Sequence, residues 1–142
     1  MEFQPNKQTV QELVKAWAAG SLTRNPEYQR GAAWNKAQKQ ALIDSLFREY
    51  PIPPIFLERK SSAGLFGGAA ERFEIIDGQQ RILALAEFSR GEFPLLNPTD
   101  EKLRLPHSLR AKKTSWGNKT YEELTPVLTK FLDDAKIEVI LF

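Results

Sequence analysis

The feature that most constrains this chain is a junction at which a strand is followed at once by a helix. Residues 73–88 read FEIIDGQQRILALAEF. The apolar run before Asp77 is typical of a buried strand, and apolar residues at helical spacing follow Arg81. We therefore predict a strand over 72–77 and a helix over 78–90, with Asp77 as the helix cap. Between the two elements stand an acid, a glycine, two amides and an arginine.

The rest of the chain predicts an α+β fold, in which a small mixed β-sheet is flanked by helices. Thr9 with Glu12, and Asn35 with Gln38, have the spacing of capping boxes that begin helices. The glycine-rich stretch 60–71 lacks the Gly-Lys-Ser/Thr ending of a phosphate loop, so we favour a hairpin connection or a mobile flap there. The other predicted elements are helices over 10–19, 36–49 and 126–134, and strands near 55–58, 136–142 and 21–24.

Composition excludes several classes of function. The chain has 142 residues, a net charge of +2 and no cysteine, so disulfides and thiolate chemistry are excluded. The single histidine, His107, sits in a loop-like stretch, which argues against a histidine metal site or a catalytic triad. No apolar run reaches transmembrane length, and the N-terminal stretch is too polar for a signal peptide. We therefore expect a cytoplasmic protein without a membrane partner.

The C-terminal sequence KIEVILF is apolar and has no polar tail. An exposed apolar edge strand is normally covered in a natural domain. We therefore expect residues 1–142 to form a single domain that is truncated at its C-terminal end.

The first turn after the junction has the chemistry of an anion site. A helix N-terminus presents unpaired N–H groups and the positive end of the helix dipole. Gly78 permits close approach of a ligand, Gln79 and Gln80 can donate and accept, and Arg81 supplies a fork suited to phosphate. Asp77 can cap the helix, hold Arg81 or bind a divalent ion.

An interpretation without a ligand is equally open on composition alone. In it Gln79 and Gln80 are solvated first-turn residues, and Arg81 pairs with Asp77 or Glu74. Against it, the helix that follows is apolar nearly all round, which is typical of a buried helix. Its polar first turn would then open into a central cleft, where concentrated polar groups need partners.

A second polar cluster lies in the stretch EYQRGAAW, which contains Tyr28, Gln29, Arg30 and Trp34. Aromatic rings combined with arginine are suited to base stacking and phosphate binding. For Trp34 the better interpretation is an anchor of the loop on the core. The residues alone leave Arg30 undecided between a ligand contact and a surface position.

Together these two clusters resemble a known family. The stretches PEYQRGAAWNKAQKQALIDSLFREYPIPPIFL and IIDGQQRILALAEFSRGEF are similar to the DGQQR domain, number 262 among domains of unknown function. It is the N-terminal domain of GmrSD-like proteins and is grouped with the ParB/sulfiredoxin-like fold. The resemblance is strong over about residues 21–96, and it rests on four motifs. These are Tyr-Gln-Arg with a nearby Trp, Leu-Ile-Asp-Ser, Pro-Ile-Pro and Asp-Gly-Gln-Gln-Arg.

The resemblance implies a nucleotide-binding module, often one that hydrolyses nucleoside triphosphates, of bacterial proteins that restrict modified phage DNA. Carried over, it makes Asp77, Gln80 and Arg81 the catalytic candidates and Asp77 the candidate ligand of Mg²⁺. It gives the ATP- or GTP-class nucleotide a second set of contacts: Gly78, Gln79, Arg81, Tyr28, Gln29 and Arg30. The nuclease activity of the family belongs to a separate His-Asn-His domain, and relatives continue into a Phe-x-Arg-x-Asn segment that this sequence lacks.

Three hypotheses follow. The leading one is a nucleotide-binding domain that hydrolyses a phosphoanhydride bond, in which Gln79 or Gln80 orients water or ribose. The second is a non-catalytic module that binds nucleic acid or senses a nucleotide and gates a partner nuclease domain. Arg24, Arg30 and the basic run over 110–119 give the second weak support. The third is a scaffold for assembly into an oligomer.

Overall fold

The structure, a computed structural model, describes residues 6–28, 33–63, 69–98 and 114–142. Within these ranges the chain forms five strands and four α-helices, which confirms the α+β class. The elements are β1 (Asn6–Thr9), α1 (Val10–Ala19), β2 (Leu22–Arg24), α2 (Lys36–Phe47), β3 (Ile55–Ala63), β4 (Ala69–Asp77), α3 (Gln79–Ser89), α4 (Pro126–Asp134) and β5 (Lys136–Leu141).

The five strands form one mixed sheet in the order β1-β5-β3-β4-β2. Strand β5 pairs antiparallel with β1 and parallel with β3. The hairpin of β3 and β4 is antiparallel, and β2 adds to β4 in parallel. The C-terminal ends of strands β1, β2 and β4 therefore lie at the same end of the sheet, and both α1 and α3 begin there.

The helices pack on one face of the sheet. Alternate strand residues, such as Leu57, Phe73 and Val139, are buried together with helix residues such as Leu13 and Leu85 in one core. On the other face, Glu138, Lys60 and Arg72 are exposed or only partly covered. Helix α3 lies between α1 and α2, and its apolar residues are mostly buried, as its composition predicts.

The final strand corrects the expectation of an uncovered apolar edge. Strand β5 lies inside the sheet, because β1 pairs along its outer side from Asn6↔Val139 to Thr9↔Lys136. Strand β1 was not predicted, because its sequence NKQT is short and polar. Within this strand Gln8 is buried, and it is 1% exposed.

Several predicted bounds also need correction. Helix α2 ends at Phe47 instead of 49. The apolar spacing of residues 42–50 predicts that Tyr50 belongs to the buried stripe of this helix, but Tyr50 follows the helix and is 48% exposed. Strand β3 runs on to Ala63 and β4 begins at Ala69, so the predicted hairpin is longer than expected. In α4 the spacing of the apolar residues predicts that Val127 belongs to the apolar face, but Val127 is 78% exposed. His107 and most of the basic run over 110–119 lie outside the described residues.

Candidate functional site

The junction between β4 and α3 begins with an irregularity in the sheet. Phe56 pairs with Asp77, whereas Leu57 pairs with Ile75, so Ile76 is an extra residue in β4. Such β-bulges bend a strand and are common beside functional sites. Asp77 is still part of the strand, and 69% of its side chain is exposed.

The N-cap of α3 is Gly78, not Asp77 as predicted, because Asp77 stays paired in the sheet and the chain turns one residue later. Gly78 has φ +104°, a conformation that residues with a side chain rarely adopt. A Cβ atom here would also lie 2.6 Å from Ile55 Cδ1 and 3.0 Å from Arg81 Nη2. Glycine is thus required by the turn and by its neighbours, and it leaves α3 without a cap side chain.

The other described helices are capped by side chains. Thr9 Oγ1 accepts from the Glu12 N–H, Asn35 Oδ1 from Gln38 and Thr125 Oγ1 from Leu128. The first two are the capping boxes that the sequence predicts. Among the described residues, no side chain caps α3, and the backbone N–H groups of Gln79, Gln80 and Arg81 have no acceptor within the helix. They stay available at the positive end of the helix dipole.

Arg81 is the third residue of α3, and only 14% of its side chain is exposed. Its Nη2 donates to the Pro54 carbonyl at 2.8 Å and lies 3.8 Å from Asp77 Oδ2. Its Nε is buried and has no hydrogen-bond partner among the described residues. Burial lowers the pKa of the guanidinium, and the Asp77 carboxylate partly raises it again. The group remains charged at neutral pH, since arginine starts far above this range.

This arrangement concentrates positive charge at one point. A cation in the first turn of a helix is unfavourable, because it adds to the positive end of the dipole. Asp77 offsets this only in part, because its carboxylate is mostly solvated and the 3.8 Å separation is long for an ion pair. The interpretation without a ligand predicts that Arg81 pairs with Asp77. This ion pair is present, but it is weak. An anion at the first turn would satisfy both the N–H groups and the arginine.

The second predicted cluster lies against this junction. The Trp34 backbone N–H donates to Gln80 Oε1 at 3.0 Å, across 46 residues of sequence. Asn25 Nδ2 donates to Glu74 Oε2 in β4 at 2.9 Å. The Trp34 side chain is half-buried and packs on the core, which confirms the predicted anchor.

The residues of the Tyr-Gln-Arg motif are described only in part. Tyr28 closes a 3₁₀ turn, Pro26–Tyr28, directly after β2 and next to β4. Gln29 and Arg30 lie outside the described residues. The structure therefore places Tyr28 near β4 and Trp34 at the junction. The roles predicted for Tyr28, Gln29 and Arg30 stay predictions.

Three contacts were not predicted from the sequence, one at the junction and two around Asp44 in α2. Pro54 contributes a carbonyl to Arg81, and no side-chain pattern could reveal it. Asp44 is 4% exposed and accepts from Trp116 Nε1 at 3.0 Å and from Arg48 Nε at 2.7 Å. A carboxylate within an apolar helical stripe was the available signal for this buried network. It fixes the segment containing Trp116 on α2.

A cleft of about 790 Å³ lies away from the junction, between the end of α2, α4 and the start of β5. Tyr50, Ile52 and Phe131 contribute to its apolar wall, and lysines and acids stand around it in equal number. None of residues 77–81 lines it. A cleft without net charge is a poor match for a triphosphate. The positively charged junction is therefore the better candidate for a phosphate site, although the cleft is large.

Comparison with known proteins adds one match. The family model described as the GmrSD restriction endonuclease, N-terminal domain, matches residues 10–141. No curated protein and no solved structure matches the chain. The grouping with the ParB/sulfiredoxin-like fold thus stays a prediction. Among the described residues, no helix is long and apolar enough to cross a membrane.

Proposed function

The chain belongs to the family of the GmrSD restriction endonuclease N-terminal domain, and we propose that it is a domain of a restriction-like protein that defends against phage. In this proposal the domain binds a nucleoside triphosphate. The phosphates would lie at the first turn of α3, and the domain would hydrolyse a phosphoanhydride bond. The base would be of the ATP or GTP class.

One observation carries this proposal: an uncapped helix N-terminus with a charged arginine as its third residue. Helix N-termini bind phosphate because their N–H groups point at it and the dipole favours negative charge. Arg81 adds a permanent charge that is already positioned by the Pro54 carbonyl. Little reorganisation is then needed when a phosphate arrives, and such preorganised charge is what phosphoryl transfer requires.

The donor set also fits a metal–nucleotide complex. Asp77 is a solvent-exposed carboxylate beside the helix N-terminus, and Mg²⁺ is typically held by one or two carboxylates together with phosphate oxygens and water. When bound, Mg²⁺ would neutralise charge on the phosphates. The chain itself would position the phosphates through Arg81 and the backbone of Gln79. Gln80 would offer its amide nitrogen, since its oxygen is bonded to Trp34.

A second candidate function is a nucleotide sensor that gates a partner nuclease domain without cleaving the nucleotide. The hydrogen bond between Gln80 and Trp34 favours it. That bond links the proposed phosphate site to a separate segment of the chain, and a sensor needs such a link to transmit occupancy.

Calorimetric titration with MgATP and MgGTP tests binding. We expect Arg81→Met to raise the dissociation constant of the nucleotide about tenfold to a hundredfold, which is the range for loss of a hydrogen bond to a charged group. Arg90→Met is the matched control, because Arg90 stands exposed at the other end of α3 and pairs with Glu92. Equal affinity of wild type and Arg81→Met for every nucleotide would contradict the site.

Release of inorganic phosphate distinguishes the two candidate functions. Hydrolysis predicts phosphate release by the wild type that Arg81→Met reduces and Arg90→Met does not. Binding without release by the wild type would instead support the sensor.

A further inference from the structure

The connection between α2 and β3 contains three prolines in four residues, Pro51-Ile52-Pro53-Pro54. A proline ring fixes φ at about −65°, and the residue before a proline is restricted to extended backbone. Every residue of this connection is therefore restricted by its own ring or by the ring that follows it. Such a segment has few conformations to lose when the protein folds.

Both ends of this connection are attached to regular structure. At its start the Tyr50 backbone N–H donates to the Ser45 carbonyl at 3.0 Å, a bond that closes the end of α2. At its end Ile55 is fully buried and pairs with Val139 of β5. The connection is thus short, stiff and fixed at each end, so its carbonyl groups have little freedom to move.

One of these carbonyl groups orients Arg81. Arg81 Nη2 donates to the Pro54 carbonyl at 2.8 Å, and within the described ranges the guanidinium makes no other hydrogen bond. The Asp77 carboxylate lies 3.8 Å away and is mostly exposed, so it holds the guanidinium only weakly. A Cβ atom on Gly78 would lie 3.0 Å from Nη2. The guanidinium therefore depends on Pro54 for its orientation and on Gly78 for its space.

We infer that Pro53 and Pro54 are positioning residues, whose restricted backbone fixes the Pro54 carbonyl and so holds the Arg81 guanidinium in one orientation before any ligand binds. A group that is already ordered costs less entropy when a ligand binds to it. That this orientation serves a phosphate rests on the proposed function. Neither proline contacts the nucleotide in this account, and both act through Arg81.

Side-chain NMR of ¹⁵N-labelled protein without ligand tests the orientation directly. A guanidinium held by a hydrogen bond rotates slowly about its Nε–Cζ bond and gives separate Nη resonances, whereas a free guanidinium gives one averaged resonance. We expect separate Nη resonances for Arg81 in the wild type and loss of this separation in Pro54→Ala and Pro53→Ala. Arg81→Met assigns the resonances, because it removes them.

Two controls separate a local effect from a general loosening of the fold. Arg48 is the reference in the same spectrum, because its side chain is 13% exposed and its Nε donates to the Asp44 carboxylate at 2.7 Å. Its resonances should not change in any variant. Pro126→Ala is the matched proline control, because Pro126 is the exposed first residue of α4. We expect the Arg81 resonances of Pro126→Ala to equal those of the wild type.

The two proline variants differ in their risk of unfolding. Pro53 is exposed, so Pro53→Ala opens no cavity in the core and keeps the test available if Pro54→Ala does not fold. The melting temperature of each variant checks the fold. Averaged Arg81 resonances in the wild type, unchanged resonances in both proline variants, or an equal change at Arg48 would overturn the inference.

Titration of the same variants with MgATP and MgGTP separates this inference from the proposed function. We expect Pro54→Ala to raise the dissociation constant about twofold to fivefold, the factor that corresponds to the conformational freedom a proline removes. Loss of the separate Arg81 resonances in the proline variants, with a wild type that binds no nucleotide, would refute the proposed function and support the positioning role. Unchanged affinity of Pro54→Ala despite that loss would overturn the role of the prolines in phosphate binding.

Discussion

Two strand-to-helix junctions lie at the same end of the sheet, and they differ in the residues that cap the helix. At the β1–α1 junction the cap is Thr9, and the third helical residue, Glu12, accepts from the Thr9 N–H at 3.2 Å. At the β4–α3 junction the cap is Gly78, and the third helical residue is Arg81. An acid that closes one junction is thus replaced by a base at the other.

We call the β1–α1 junction closed, because side chains of the protein cap its helix, and the β4–α3 junction open, because no side chain caps its helix. In α1 the protein provides acceptors and negative charge from its own side chains, so no ligand is needed. In α3 the N–H groups keep no cap, and the nearby charge has the wrong sign for the dipole. We therefore propose that an anion completes the second junction, and we place the phosphates there.

Substitution of the glycine at the open junction should have the largest effect on stability. Gly78→Ala forces a Cβ into a positive-φ turn and against Ile55, so we expect a loss of about 2–5 kcal/mol from strain and overpacking together. Gly20→Ala is the control, because Gly20 has φ +79° but nothing within 4 Å of the added atom. Its expected loss is about 1–2 kcal/mol, from the backbone alone.

Urea unfolding of both variants, at unchanged slope, measures this difference. Similar losses for Gly78→Ala and Gly20→Ala would mean that contact with Ile55 and Arg81 does not constrain the open junction.

Removal of the cap at the closed junction should have a smaller effect, confined to stability. Thr9→Ala removes the side-chain acceptor for the Glu12 N–H, so the free energy of unfolding should fall by about 1 kcal/mol. Nucleotide affinity should not change, because α1 has no arginine in its first turn. A change in affinity as large as that of Arg81→Met would remove the distinction between the two junctions.

The parts of the fold that sequence predicts well are those determined locally. The caps at Thr9 and Asn35 were predicted correctly because each motif lies within a few residues. Strand β1 was missed because its pairing with β5 is formed across almost the whole chain, and its own residues are polar. The interior position of β5 depends on the same pairing.

The candidate site shows the same division. The Asp-Gly-Gln-Gln-Arg motif lies at a strand-to-helix junction, as the sequence predicts, but the cap is Gly78 and not Asp77, since strand pairing continues to Asp77. The bond between Gln80 and Trp34 and the Pro54 carbonyl beside Arg81 could not be predicted, because they depend on tertiary packing.

The most direct test of the open junction is a titration of ¹⁵N-labelled protein with MgATP and MgGTP, followed by backbone amide chemical shifts. The account predicts saturable shifts of the amides of Gln79, Gln80 and Arg81, with the amides of Val10, Gln11 and Glu12 unmoved at the closed junction. Shifts absent from Gln79–Arg81, or equal at the two helix starts, would contradict the claim that an anion completes the first turn of α3.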